Sequence, residues 1–453
     1  MNTGGMLRSF RVCNHQSLRD ETELSLLPAS DKDRAVVPVA AIFGSNAAGK
    51  SSLLSALKFM QSAVKLSFAT WEPDAGVRRT PFRLAPRSLL EPSTFVADIM
   101  LDWVPHVYGF TVDDEKVQSE WLYTYAKRRK KVVFERQGND VEFGPASSAE
   151  AKTRNKFILG MLRSNALFVS TAAQALHPDI KPLYDWFAQR VAFLPAAQEI
   201  TTAALYKKLA LDSPDRDTLV DLIRAADVGI ADIRVVDAGW RDRAVDAEES
   251  AAVARAEMES ASGRRRLELA EHVAYYDWLT VLREARSLSL EFYHGQAMAP
   301  LSLEHQSEGT RAWLALVLHS RQALDTGSAL IVDELDASLH PRLTTRLVRL
   351  FQSRRTNPRG AQLIFSSHDA TLLGTAIGED VLQRDQIWFV DKDSEGASSV
   401  YPLTDFHPEQ GEDVERRYLG GAYGAVPVVS ELAFRRAMRE KEDPSEPGSA
   451  DAA

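Results

Sequence analysis

An α/β fold, a mixed sheet with helices that carries a mainly helical insertion, follows from three features of the sequence. Short apolar runs near both ends of the chain lead into glycine or carboxylates, as Val36–Phe43 (VVPVAAIF) does before Gly44 and Ala329–Val332 does before Asp333. Between positions 81 and 143 the pattern alternates with period two, Phe95, Ala97, Ile99 and Leu101 being spaced two apart. From about 150 to 290 the apolar spacing is helical instead, as in Leu219, Leu222, Ile223 and Ala226.

The elements follow in order. Leu7, Phe10 and Val12 mark a first strand and Leu24–Leu27 a second. The run VAAIF then feeds Gly44, Ser45, Asn46, Ala47, Ala48, Gly49, Lys50 and Ser51, which fit the phosphate-loop pattern G-x4-G-K-[ST] in full. Ser52 is grouped with the loop as a nucleotide-binding residue, and the helical SSLLSALKFM completes the strand–loop–helix order. Such a loop points its backbone N–H groups inward at the positive end of a helix, which suits a polyphosphate. Lys50 is placed to reach the β and γ phosphates, and the Ser51 hydroxyl to ligate Mg2+. Farther on, the basic run Lys127–Lys131 (KRRKK) sits between the strand patterns WLYTY and VVFER, where a hairpin tip belongs.

The segment 151–290 is expected to be the helical insertion; within it Asp246–Arg266 is polar and ends in Arg264, Arg265 and Arg266. Ser307 is a good N-cap and Gly309 permits close approach, so Ser307–Gly309 reads as a second helix N-terminus for phosphate. The strand ALIV delivers Asp333 to hold Mg2+ and Glu334 to polarise the water that attacks the γ phosphate. The strand LIFSS delivers His368, placed to contact the γ phosphate. Residues 438–453 have a disordered composition.

Composition narrows the setting. The 453 residues carry 54 Lys and Arg against 63 Asp and Glu, a net charge of −9, which argues against a coat of nucleic acid but allows a local basic patch. No apolar window is long enough for a membrane span, and the first ten residues lack the apolar core of a secretory signal. Cys13 is the only cysteine, which rules out intrachain disulfides and Cys-rich zinc sites and leads us to expect a cytoplasmic protein. Heptad runs are too short for coiled-coil arms.

The order GSNAAGKS, QSEGTR, ALIVDELDASLHP and IFSSHD resembles the ABC-type ATPase heads of the SMC, RecF and overcoming-lysogenisation-defect families. Asn46 within the loop and the DE pair followed by His340-Pro341 are typical of that group. The likeness covers roughly 6–125 and 295–405, and the ending ERRYLGGAYGAVPVV is most similar to the ATPase component of two-gene anti-phage systems of the abortive-infection or PARIS type. The resemblance implies an ATP- and Mg2+-dependent ATPase that pairs head to head, or in a larger assembly. ATP on one phosphate loop is then covered by Ser307–Gly309 of the other copy, with Asp336–His340 at the same interface. It implies two halves of one head, 1–150 and 291–437, and a separate toxin or nuclease as partner. Two departures stand out: the signature reads S-E-G rather than S-G-G, and the glutamine loop has only Gln118 as a candidate.

The alternative is a DNA-repair or recombination ATPase that clamps DNA, using Lys127–Lys131 and Arg264–Arg266 on phosphates. A fused nuclease would need Asp391 and Asp393 as a metal pair, but these read as a plain turn.

Overall fold

The computed structural model describes residues 5–29, 34–145, 149–194, 216–226, 229–237, 256, 288–295, 300–376, 379–409, 411–427 and 430–439. The chain opens with β1 (Met6–Cys13), β2 (Thr22–Ser25), β3 (Val39–Gly44), α1 (Lys50–Thr70) and α2 (Pro86–Leu90). Next come β4 (Ser93–Leu101), β5 (Val104–Val112), β6 (Val117–Thr124), β7 (Lys131–Gln137) and β8 (Asp140–Phe143). The middle holds α3 (Ala149–Met161), α4 (Phe168–Gln174), α5 (Lys181–Gln189), β9 (Val191–Phe193), α6 (Arg216–Arg224), β10 (Ile230–Asp237) and β11 (Leu288–His294). The last part holds α7 (Glu308–Thr326), β12 (Ala329–Val332), α8 (Pro341–Gln352), β13 (Gln362–Ser367), β14 (Thr375–Ala376), β15 (Glu379–Asp380), β16 (Ile387–Lys392) and β17 (Ser398–Pro402), then α9 (Val414–Leu419) and α10 (Glu431–Arg439).

These strands build two main sheets. One is antiparallel, in the order β2-β1-β4-β5-β6-β7-β8. The other runs β17-β16-β3-β13-β12-β9, parallel except for the β16–β17 pair. Its strands come from both ends of the chain and, in β9, from its middle, so neither end could form it alone. Side chains alternate across it: Ala40, Ile42, Ile331, Ile364 and Val390 face one core shared with α1 and the antiparallel sheet. Val39, Phe43, Leu330, Val332, Leu363, Phe365 and Phe389 face a second core formed with α7 and α8. A sheet buried on both faces requires uninterrupted apolar strands, hence VAAIF, ALIV and LIF in the sequence.

The parallel register matters for function. Ser367 lies beside Phe43, Gly44 beside Val390, and Val332 beside Phe365. Gly44, Asp333 and His368 therefore leave the sheet together at its carboxyl edge, where open α/β sheets place ligands.

Within the segment read as a helical insertion, α3, α4 and α5 do form, and they pack with α1 and the antiparallel sheet in one core. Val191–Phe193 is instead an edge strand of the parallel sheet, pairing with Ala329–Ile331. Helical spacing concealed it because three residues are too few for alternation to register. β10 and β11 pair as a separate antiparallel ribbon. Arg264–Arg266 lie outside the described residues, as do 440–453, and Met438 and Arg439 end α10. Among the described residues no helix is long and apolar enough to cross a membrane.

One buried group makes stability pH-dependent. His15 packs against Phe59 and Phe95, ring centroids 6.0 and 5.5 Å away, with Nε2 3.4 Å from Ser55 Oγ and Nδ1 unpaired. Burial pushes its pKa down to about 4. The unfolded chain therefore binds more protons than the folded one between the ordinary histidine pKa of about 6.5 and about 4. This stabilisation is complete above the upper value and is lost as pH falls through the window. It amounts to roughly 3 kcal/mol. Thermal melts across that range should show a steeper acid loss for the wild type than for His15→Gln; parallel profiles would remove His15 as the cause.

Candidate functional site

The loop after β3 turns on Ala47, at φ 62°, and Gly49, at φ 119°. At Gly49 a side chain would also run into the Ser17 and Ser398 hydroxyls, so glycine is required twice over. Those serines form a brace behind the loop. Ser398 Oγ donates to the Ala48 carbonyl at 2.5 Å and lies 2.8 Å from Ser17 Oγ, which donates to Ser52 Oγ at 2.9 Å. Ser52, named with the loop on its motif, thus turns its hydroxyl to the back. Ser51, Asn46 and Ala47 are exposed at the front.

Lys50 is the first residue of α1 and its side chain is buried against the loop. Its Nζ donates to the carbonyls of Gly44 at 2.8 Å and Ser45 at 3.2 Å, and to His368 Nδ1 at 3.4 Å. An ammonium can only donate, so His368 Nδ1 is the acceptor. Burial pulls the Lys50 pKa down, while Asp333, Glu334 and Asp336 oppose that shift. Three carboxylates thus act on one ammonium.

Those carboxylates lie just beyond β12. Asp333 Oδ1 accepts from Ser366 Oγ at 2.5 Å, and Ser366 Oγ in turn accepts from the Glu334 N–H at 2.7 Å. The Leu335 N–H donates to the Ser366 carbonyl at 2.9 Å. This clamp holds Glu334 in a left-handed conformation at φ 54°, a strained backbone for a residue with a side chain and of a kind found at functional sites. The Asp336 carboxylate accepts from the His368 N–H at 3.2 and 3.3 Å, tying the acidic loop to the tip of β13. Asp333, Glu334 and His368 are all exposed. The donor set fits a hard divalent cation: the Ser51 hydroxyl and the Asp333 carboxylate are both oxygen ligands.

Ser307 and Gly309 behave differently. Ser307 caps α7 by accepting from the Thr310 N–H at 3.1 Å, as its sequence position predicts. A Cβ at Gly309 would stand 2.6 Å from the Ser338 carbonyl, so the glycine lets α7 pack against the loop that follows Glu334. Both residues line a groove of about 1280 Å3 together with Ser338, His340 and the arginines of α8. Lys50, Asp333 and His368 are not among its lining residues.

Other expected positions resolve simply. The run Lys127–Lys131 forms the exposed tip between β6 and β7. Asp393 makes a turn, its carboxylate accepting from the N–H groups of Glu395 and Ala397 at 2.9 and 2.8 Å. Among the described residues no group of three or more acidic, His or Cys side chains could hold a metal ion. Gln118 sits in the β5–β6 hairpin with its amide on Asp113. Ser17, Ser366 and Ser398 were missed. The serine pair in IFSSHD was a signal for Ser366; Ser17 and Ser398 carry none, because each acts only through a contact distant in sequence.

No curated protein matches the sequence. Among solved structures, the chain is similar to one titled "Crystal structure of the SmcHead bound to the C-winged helix domain of ScpA", at 11% identity and a TM-score of 0.42, over 88% of this chain and 99% of that one. A family model described as "AAA domain, putative AbiEii toxin, Type IV TA system" matches residues 39–374, from the strand before the phosphate loop to just past His368. That match takes in most of the chain, including the phosphate loop, the acidic strand end, Ser307–Gly309 and His368, so the protein belongs to this AAA-domain family and is a P-loop ATPase.

Proposed function

We propose that the protein is a nucleotide-driven switch in which ATP joins two copies head to head and hydrolysis releases them. One observation carries the reading. Lys50, Asp333, Glu334, Asp336 and His368 converge within one chain, whereas Ser307 and Gly309 line a separate groove. A site with its signature elsewhere is half a site, and a two-fold arrangement completes both halves at once.

In this reading the loop Gly44–Ser51 and Lys50 bind the polyphosphate, while Ser51 and Asp333 hold Mg2+, which supplies charge neutralisation. Glu334 takes the proton of the attacking water, and His368, anchored through its N–H to Asp336, contacts the γ phosphate. Residues 1–150 and 291–437 act as two halves of one ATPase unit, with 151–290 between them and contributing the edge strand Val191–Phe193 to its sheet. Because ATP shifts an equilibrium only through contacts that differ between its states, the signature supplies contacts present in the closed pair alone. The family description names a putative AbiEii toxin and a Type IV TA system; we take the element gated to be a separate toxin or nuclease, and anti-phage defence to be the setting.

Mixing two inactive variants tests the composite site. Lys50→Ala removes the phosphate lysine and Ser307→Arg blocks the signature. In an equal mixture half of the pairs are mixed, each with one intact site, so ATP turnover should return to about a quarter of wild type. If the mixture stays as inactive as its components, the shared site is wrong.

A further inference from the structure

A second cavity, of about 310 Å3, lies far from the phosphate loop in sequence, between the β6–β8 ribbon and α3–α5. That volume is at the lower end of small-ligand sites. Its walls include Lys131, Phe143, Phe168, His106, Asn155 and Asp179. Phe143 is half-buried and meets the fully buried Phe168 edge-on at 5.5 Å, so it offers a fixed aromatic surface.

The polar groups are also fixed. His106 Nδ1 donates to the Val104 carbonyl at 2.8 Å, which makes Nε2 the acceptor. His177 Nδ1 accepts from the Asp179 N–H at 3.3 Å, so its Nε2 donates to Asn155 Oδ1 at 3.0 Å and sets the direction of that amide. Burial lowers the pKa of both histidines, consistent with these neutral forms.

Lys131 at the cavity mouth is also the last residue of the basic tip. Lys127, Arg128, Arg129, Lys130 and Lys131 are all exposed there, on a chain whose net charge is −9. Lys130 lies over the Tyr123 ring at 3.5 Å. Five adjacent cations beside an aromatic pocket with set donors and acceptors combine the two elements that bind unpaired nucleic acid: charge for the backbone and a stacking surface for a base.

We propose that the hairpin tip and this cavity form a binding site for single-stranded nucleic acid, with backbone phosphates on Lys127–Lys131 and one unstacked base in the cavity against Phe143. A duplex keeps its bases stacked and cannot fill the pocket. Such a site would let the ATPase sense a nucleic-acid strand at a place separate from its nucleotide.

The test uses the full chain and fluorescence anisotropy with labelled oligoadenylate RNA, the matching DNA, a duplex and an abasic strand of equal length. Base-bearing single strands should bind at least about tenfold more tightly than the duplex or the abasic strand. Replacing Lys127, Arg128 and Arg129 by Ser should weaken single-strand binding at least about tenfold and reduce the salt slope by about 2, with ATP turnover unchanged. Thr124→Trp, which fills the cavity, should remove the preference for base-bearing strands and leave the salt slope intact. Tighter RNA binding would identify an RNA strand and tighter DNA binding a DNA strand, either one supporting the site. Unchanged affinity in the tip variant, equal binding of the abasic strand, or preference for the duplex would overturn it.

Discussion

Glu334→Gln should reduce ATP turnover by a factor of about 10²–10⁴, the range expected when a positioned general base loses its proton acceptor. Nucleotide binding should survive, because Lys50 and the loop are untouched. The substitution is nearly isosteric on an exposed side chain, and the N–H bond from Glu334 to Ser366 that holds the strained backbone remains. A fall in turnover therefore reads chemistry rather than folding. With hydrolysis blocked, ATP and Mg2+ should hold the chain as a pair or larger complex, and light scattering should show at least a doubled mass that reverts with ADP. Two neighbours could act instead, but both are engaged: the Asp336 carboxylate on the His368 N–H and His368 Nδ1 on the Lys50 ammonium. Near wild-type turnover in Glu334→Gln would pass the role to one of them, and a variant that stays monomeric with ATP and Mg2+ would refute closure by nucleotide.

Legibility in the sequence tracked how local each interaction is. The phosphate loop, the acidic strand end and the cap at Ser307 could be read because each is set by residues a few positions apart. The basic tip was legible for the same reason, being flanked by two strand patterns. The serine brace was not. Ser17, Ser52 and Ser398 touch only after the sheet brings β17 beside β16, and β16 beside β3. Val191–Phe193 was hidden by its brevity, and its identity as a strand depends on pairing with Ala329–Ile331. The Ser366 clamp lay between: its position at a strand end was visible, but its grip on both Asp333 and Glu334 needed the parallel register of β12 and β13. The separation of the signature from the phosphate loop is likewise a property of packing.

Arg136→Met should give the largest loss of stability of any single change considered, about 3–5 kcal/mol, the cost of leaving a buried charge without its partner. Arg136 and Glu120 are both fully shielded from solvent, 3.3 Å apart. Arg136 also donates to the carbonyls of Ala166, Arg163 and Ser164, closing the turn that leads into α4, and to that of Gly138 in the β7–β8 turn. Glu120 accepts from the N–H groups of Phe168 and Val169 at the start of α4, at 2.5 and 2.9 Å, and from the Tyr108 hydroxyl at 3.0 Å. The pair thereby fixes α4 to the antiparallel sheet. α4 in turn supports the phosphate-loop helix, since Leu167 N–H donates to Ser67 Oγ and Phe68 N–H to Ser170 Oγ, both at 3.1 Å. Losing the pair should loosen α1 as well as lower the melting temperature. The pH dependence separates a lost charge partner from lost packing. Burial already raises the Glu120 pKa above its ordinary value, with Arg136 the main opposing influence. Without Arg136 the folded chain holds that proton more tightly still, so the deficit should be smallest at low pH and grow as pH rises through the raised pKa. Chemical denaturation at several pH values measures this directly. A loss below about 1 kcal/mol, the scale of an exposed ion pair, would mean that the pair does not hold the two layers together.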